Sequence, residues 1–396
     1  MALERTFIPY RAYWSSPFCR WQGSIAHLNS VELAAATAAR FLAGKEIAAD
    51  ACDNLVLGFT VPQQHSFYGA PWLGGMLGAD TVTGPVVAQA CATSARVMAT
   101  AAGEIETGSS ECTLGVTCDR TSNGPHIVYP NPKGIGGRGD AEDWVWDNFN
   151  KDPHAGGAMV TTAENVAKEA GISTEEQHAI ALLRHEQYRR ALADDRAFQR
   201  RYMLPLEIRA GRKTITVDAD EGVFPTTPEG LAKLRPVVEG GTVTFGGQTH
   251  PADGNAGMFL CSQERAAELS ADSNIPIRVL AFGSARVEKA HMPKAVVPAA
   301  QRALQAAGVT IADLGAIKTH NPFAINDAYF CKETGVDPEN MNNYGSPLVF
   351  GHPQGPTGMR VVIELIEELV LAGGGYGLFS GCAAGDTAMA VVVRVG

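Results

Sequence analysis

Four side chains in this sequence can carry the chemistry of a thiol enzyme: Cys91, His320, His352 and Cys382. Cys91 stands in VVAQACATSARVM, where an apolar stretch expected to be a strand gives way to small residues and a helix. A thiolate there would lie at the positive end of the helix dipole, which lowers thiol pKa and raises the nucleophilic fraction at neutral pH. His352 stands in FGHPQGPTGMR, pinned between a glycine and a proline on a tight turn where backbone can come close to a ligand. An imidazole facing Cys91 is the natural acceptor of its proton. His320, in THNPF just after another expected strand, can reach the same point, and Cys382, in FSGCAAGD, is then a candidate general acid or base. Each residue taken alone has an ordinary reading, since a buried cysteine between strand and helix is common packing and a turn histidine commonly bonds backbone.

The elements that must position these residues come as a repeat. ELAAATAARFLAGKEIAADACDNLVLG reads as a helix stopping at Ala43 and Gly44, a turn at Ala49 and Asp50, and a strand through Leu55, Val56 and Leu57. AVVPAAQRALQAAGVTIADLGAIKTH repeats that order, with a stop at Ala307 and Gly308, a turn at Ala312 and Asp313, and a strand through Ala316 and Ile317. Cys91 follows Gly58 by 33 residues and His352 follows Thr319 by 33. Each opens a long helix, and an apolar or β-branched strand closes each unit. Such duplicated halves imply a pseudo-twofold α/β fold with an active site between them.

Between the halves, loops rich in Pro, Gly and Asn lead to the aromatic stretch DWVWDNF and then to two polar helices, TTAENVAKEAG and TEEQHAIALLRHEQYRRALADD. This reads as an insertion, the part of such a scaffold that supplies a substrate pocket. The expected division is a first half at 1–120, an insertion at 121–250 and a second half at 251–396.

With 32 Lys+Arg against 42 Asp+Glu, a formal charge of −10 and no basic block, neither a nucleic-acid nor an anionic-membrane partner is expected. Charge or glycine breaks every apolar run short of a span, and MALERTFIPYRAYW lacks the apolar core of an export signal, so a cytoplasmic location is expected. The eight cysteines show no CxxC pair and no metal-like spacing, and read as reduced thiols without a metal.

GHPQGPTG with a cysteine 30 residues after its histidine, the ACATSA turn, the TAENVA helix start, LAKLRPVVEGGTVT and a strand ending in SGC together resemble the thiolase family. The likeness runs from RAYWSSPF to the last strand. It implies a thiolase-like α/β fold with a five-layered αβαβα core, and Claisen-type acyl transfer on coenzyme A thioesters, with coenzyme A a substrate and no tightly bound cofactor. Cys91 would carry the acyl group, His352 would activate it, and Cys382 would move the α-carbon proton. His320 falls where many thiolases have Asn and some have His, and with His352 would hold the thioester oxygen. The N–H groups of Cys91 and Ala384 would form a second oxyanion site. Thr249, His250 and Phe323 are expected to contact substrate or coenzyme A, and Arg212, with Arg209 and Lys213, to meet its phosphates. Trp144, Trp146 and Phe149 are candidates for the acyl pocket wall or for a subunit contact. A homodimer or homotetramer is implied, and a small accessory subunit is a further partner to consider.

The sequence also departs from the family pattern. It has CATS for CGSG, CAAG for CxG, TFGGQTHPADGN for TAGNASGIND, and Ala158 where a histidine is frequent. These changes point away from a common acetoacetyl-CoA enzyme. Two alternatives stay open: a decarboxylating ketoacyl-synthase-type condensing enzyme, in which Cys382 has no task, and a non-catalytic acyl-CoA-binding subunit, which needs none of the four reactive side chains.

Overall fold

Two sheets of like topology form the frame of the computed structural model, which describes residues 2–396. The first runs in the order Tyr13–Ser15, Ala252–Cys261, Cys112–Arg120, Asn54–Gly58, Val86–Val87, with Cys19–Arg20 also paired to Ala252–Cys261. The second runs Ile277–Arg286, Thr387–Val395, Gly375–Ala383, Leu314–His320. In each half the strand from the helix–turn unit lies parallel to the strand after the long helix, and that strand pairs antiparallel with the next. The repeat therefore extends one strand further than the sequence pattern shows.

This corrects one boundary. Gly375–Ala383 and Thr387–Val395 are joined by a tight turn through Ala384 and Asp386, whereas their counterparts Cys112–Arg120 and Ala252–Cys261 are separated by the whole insertion. A division at 251 would cut Ala252–Cys261 out of the first sheet, in which it is a central strand; the second sheet begins at Ile277. An antiparallel pair needs only that its ends meet, so a long insertion can replace a hairpin turn without disturbing register.

The first repeat helix, Ser30–Lys45, is capped by the Asn29 side chain and runs past Ala43 and Gly44 to a left-handed Glu46. Ile47 packs on the core beyond it and its N–H reaches the Leu42 carbonyl, a hydrophobic closure that outweighs the glycine stop. Its counterpart, Val296–Ala307, ends at Gly308 as expected.

The helices Thr93–Thr107 and Gln354–Leu371, here the cysteine helix and the histidine helix, lie together between the two sheets. Ser30–Lys45 and Gly69–Leu77 cover the outer face of the first sheet and Val296–Ala307 that of the second, completing five αβαβα layers. Fifteen of the 18 residues of the histidine helix are buried, which only a central position allows. Among the described residues no helix is long and apolar enough to cross a membrane.

Burial forces the charged residues of that helix to find partners. Arg360 makes a bidentate pair with Asp220 at 2.6 and 2.8 Å, reaches Glu364 at 3.1 Å, and stacks 3.8 Å from the Phe350 ring centroid. Asp220 also accepts from the Phe18 N–H and the Tyr188 hydroxyl, so this cluster ties the end of the insertion to the middle of the molecule. Arg360→Leu would leave Asp220 and Glu364 buried without their cation. Urea denaturation of this variant should show a loss of about 3–5 kcal/mol.

Candidate active site

The chain enters the Cys91 turn from Val86–Val87, a far shorter strand than the apolar run suggests. It then bends at Ala90, whose φ of 43° is unusual for a residue with a Cβ. Thr93 holds the bend: its hydroxyl donates to the Ala90 carbonyl at 2.7 Å and accepts from the Gln89 N–H at 2.9 Å. The result is a half-buried Cys91 just ahead of the cysteine helix. Its thiol does not behave as the dipole argument anticipates. Burial pushes Cys91 up to about 12, against the lowering effect of backbone N–H groups of Ala384 and of Cys91 itself. The thiolate must therefore come from a proton acceptor nearby.

Two imidazoles are in reach. The Cys91 sulfur and one nitrogen each of His320 and His352 lie within 4.8 Å of one another. His320 ends the strand Leu314–His320; its Nδ1 donates to the Cys382 carbonyl at 3.2 Å. His352 follows Gly351, at φ 92°, and its N–H donates to the His250 carbonyl at 3.0 Å. The Thr357 hydroxyl gives its hydrogen to the Pro353 carbonyl, so its oxygen can only accept from His352 Nδ1, 2.8 Å away. Both Nδ1 atoms thus carry hydrogen, and the two Nε2 atoms meet at 3.0 Å with lone pairs facing. That contact is a hydrogen bond only when one further proton sits between the rings. Burial holds His320 down to about 3 and His352 well below its ordinary value, so a proton is favoured there mainly when a negative charge forms beside it. Ionisation of Cys91 supplies both the proton and the charge.

Asp119 joins this arrangement to the first sheet. It accepts from the N–H groups of Thr60 at 2.7 Å, Val61 at 3.0 Å and Gly355 at 2.6 Å, and from the Thr60 hydroxyl at 2.8 Å. Even so, burial pushes its carboxyl up to about 6. Asp119 and Thr357 were not singled out in the sequence; an acid closing the apolar strand CTLGVTCDR was the one available sign of the former.

Cys382 lies wholly buried in the strand Gly375–Ala383, beside His320 and Cys91. Burial, and then the neighbouring Cys91, push its thiol well up. A cavity of about 790 Å³ is lined by Cys91, His352 and Ala384, with Cys382 and His320 buried behind them. That size accommodates a sizeable small molecule. Thr249 and Phe323 line the cavity as expected, although the Thr249 hydroxyl is already committed to the Pro347 carbonyl at 2.6 Å. Trp144, Trp146 and Phe149 line it too. The Trp144 indole N–H is anchored on the Thr60 carbonyl at 2.9 Å, and Trp146 is 67% exposed at the rim.

Two expected binding residues are not brought in. The ring of His250 turns away from the cavity toward Gly222 and Gly351, and the contribution of this residue is the backbone carbonyl that holds His352. Arg212 sits at the tip of the hairpin Leu206–Ala210 and Lys213–Val217. The buried Leu206, Ile208 and Val217 of that hairpin dock it on Cys19 and Ile25, and neither Arg212 nor Arg209 nor Lys213 is among the cavity residues. The alternation of apolar residues that makes the hairpin stable fixes it to the first half, away from the pocket.

Comparison with known proteins gives matches along the whole chain. Residues 13–264 match the model of the thiolase N-terminal domain and residues 274–395 that of the thiolase C-terminal domain. The chain is 29% identical over 385 residues to acetyl-CoA acetyltransferase of Escherichia coli (strain K12), covering 94% of this chain and 95% of that one. It is 33% identical over 321 residues to the peroxisomal 3-ketoacyl-CoA thiolase A of Rattus norvegicus, covering 76% and 68%. The crystal structure of human mitochondrial 3-ketoacyl-CoA thiolase in complex with CoA superposes with a TM-score of 0.91 at 26% identity, over 100% of this chain and 99% of that one.

If the histidine pair takes the Cys91 proton, alkylation should report it. At pH 7, iodoacetamide should modify Cys91 ahead of the buried Cys382, read by peptide mass mapping. In His352→Ala the thiol loses its acceptor, so the rate should fall by at least about tenfold at pH 7. It should then climb about tenfold per pH unit toward the high thiol pKa, a steeper rise than in the parent.

Proposed function

The chain belongs to the thiolase family, and from that membership we propose how it works: as an acyltransferase that cleaves a 3-oxoacyl-CoA with coenzyme A, or runs the reverse Claisen condensation, through an acyl group on Cys91. The observation that carries this reading is the meeting of Cys91, two histidines and a second buried thiol in one cluster, of which Cys91 and His352 line a cavity.

In the cleavage direction, the Cys91 thiolate attacks the 3-oxo carbon while its proton rests between His320 and His352. The oxygen on C3 that gains charge would be held by the Cys91 and Ala384 N–H groups, and the thioester oxygen of the departing acetyl unit by the histidine pair and its shared proton. The C2–C3 bond then breaks. Cys382, a thiol at rest because burial disfavours its charge, gives its proton to C2, and an acetyl thioester leaves. Coenzyme A passes its thiol proton to the Cys382 thiolate and its sulfur takes the acyl group, while the departing Cys91 sulfur recovers the proton held between His320 and His352. Condensation runs the same steps backwards. A second thiol beside the first gives the α-proton a destination, which a decarboxylating enzyme does not need.

The wall formed by Trp144, Trp146, Phe149 and Phe323 supports a bulky apolar or aromatic acyl group as the substrate. A CoA complex of a human relative supports coenzyme A as the second substrate. We place the enzyme in the cytoplasm as a homodimer or homotetramer, on the family likeness and the acidic composition.

Two measurements test this. Intact-mass spectrometry after addition of an acyl-CoA should show an acyl adduct that is absent in Cys91→Ala; an adduct persisting in that variant would remove Cys91 from its role. Trp146→Ala should change the ratio of activity on aromatic or branched 3-oxoacyl-CoA to that on acetoacetyl-CoA by about tenfold at unchanged oligomer mass. A fall in all activities together, with a shift in mass by light scattering, would make the stretch a subunit contact instead.

A further inference from the structure

Asn326 occupies the first turn of the helix Ala324–Thr334 and is completely buried. Its Oδ1 accepts the Phe323 N–H at 3.2 Å, which settles which end of the amide is which. The amide nitrogen is thereby aimed at Cys382, and Nδ2 donates to Sγ across 3.3 Å. We propose that Asn326 is the positioning residue for proton transfer at Cys382, the group that orients this thiol and holds the negative charge left on it.

The need for such a group follows from the surroundings. When Cys382 gives its proton to C2, the S–H bond breaks, a C–H bond forms, and the charge of the carbanion passes to sulfur. In the reverse step the sulfur takes the α-proton and the C–H electron pair moves into the enolate. Either way a thiolate exists in a site that opposes it. Burial disfavours the charge first, Asp327 stands on the same helix as Asn326, and Cys91 adds its own opposition whenever it is not acylated. The Asp327 charge is largely taken up by Arg184 at 2.8 Å and by Thr319, Asn321 and Asn342, yet it still acts against a second anion. His320 and His352 complete the ring of titratable neighbours; burial disfavours charge on both, and the one proton they share in the cleavage direction is bonded between the two rings. Among these groups the Asn326 amide is the side chain that donates directly to the sulfur, and an N–H to an anion is stronger than one to a neutral acceptor. The hydrogen bond also has a directional effect: it fixes Sγ on the side of the strand that faces Cys91, where the α-carbon must lie.

This inference rests on the assignment of Cys382 to the proton step, and the experiment separates the two. Solvent exchange of the α-protons of acetyl-CoA is followed by NMR in the parent, Cys382→Ser, Asn326→Asp and Asn326→Leu. Asn326→Asp keeps the acceptor for the Phe323 N–H but removes the donor to sulfur, whereas Asn326→Leu removes both. Exchange should fall by about tenfold to a hundredfold in each Asn326 variant, and its pH midpoint should move upward by about one unit or more. Formation of the Cys91 acyl adduct should keep the parent rate. If Asn326→Leu does not fold, Asn326→Asp decides alone. Parent exchange and an unmoved midpoint in Asn326→Asp, while Cys382→Ser abolishes exchange, would overturn this inference and leave the role of Cys382 standing. Exchange surviving in Cys382→Ser would overturn both. A parallel fall in Cys91 acylation would make Asn326 a structural residue and also overturn the inference.

Discussion

The crossing of the two central helices is the constraint on which the rest of the molecule depends. At that crossing a Cβ on Gly358 would come within 3.0 Å of the Ser94 Cβ, and the Ser94 hydroxyl donates to the Gly355 carbonyl. A side chain on Gly355 would likewise press on the Asp119 carboxylate, at 2.8 Å. The helices approach this closely only because small residues line both. Since each half places its reactive residue just before its helix, bringing the helix starts together brings Cys91 and His352 together. The site is thus a product of helix packing, and loops refine it.

That arrangement has an electrostatic cost. Helices buried on all sides must bury their polar residues too, and the fold answers with ion pairs: Arg360 with Asp220, Arg184 with Asp327, Lys318 with Glu368. The same dryness acts on the reactive groups, which are paired less completely. Cys91, Cys382, His320 and His352 are all pushed toward their neutral forms. A site that resists charge strengthens every hydrogen bond to a charge that does form.

How much of this the sequence shows depends on the range of the interaction. The repeat was legible because helix stops, turns and apolar strands are local, and the equal 33-residue spacings tied Cys91 and His352 to equivalent places. The five layers came from family motifs, which local pattern does not supply. What stayed hidden was long-range. That Ala252–Cys261 joins the first sheet as an inner strand depends on pairing across more than a hundred residues, and no local signal marks it. The place of the Arg212 hairpin is hidden for a similar reason: charge in the sequence says that a residue meets solvent, and its distance from a pocket is decided by what the opposite face docks on. The opposing pull of burial on the Cys91 thiol is hidden too, because a helix start is visible in sequence and desolvation is not.

The nearness of the two thiols has a consequence for the order of events. Charge on Cys91 opposes charge on Cys382, so in the resting site the two sulfurs compete for a single ionisation. An acylated Cys91 can no longer ionise, and its opposition to Cys382 ends with the formation of the thioester. The pair therefore works as an interlock: the second thiol becomes easier to arm once the first is loaded, and an empty site has less power to strip a proton from a substrate it has nothing to join to.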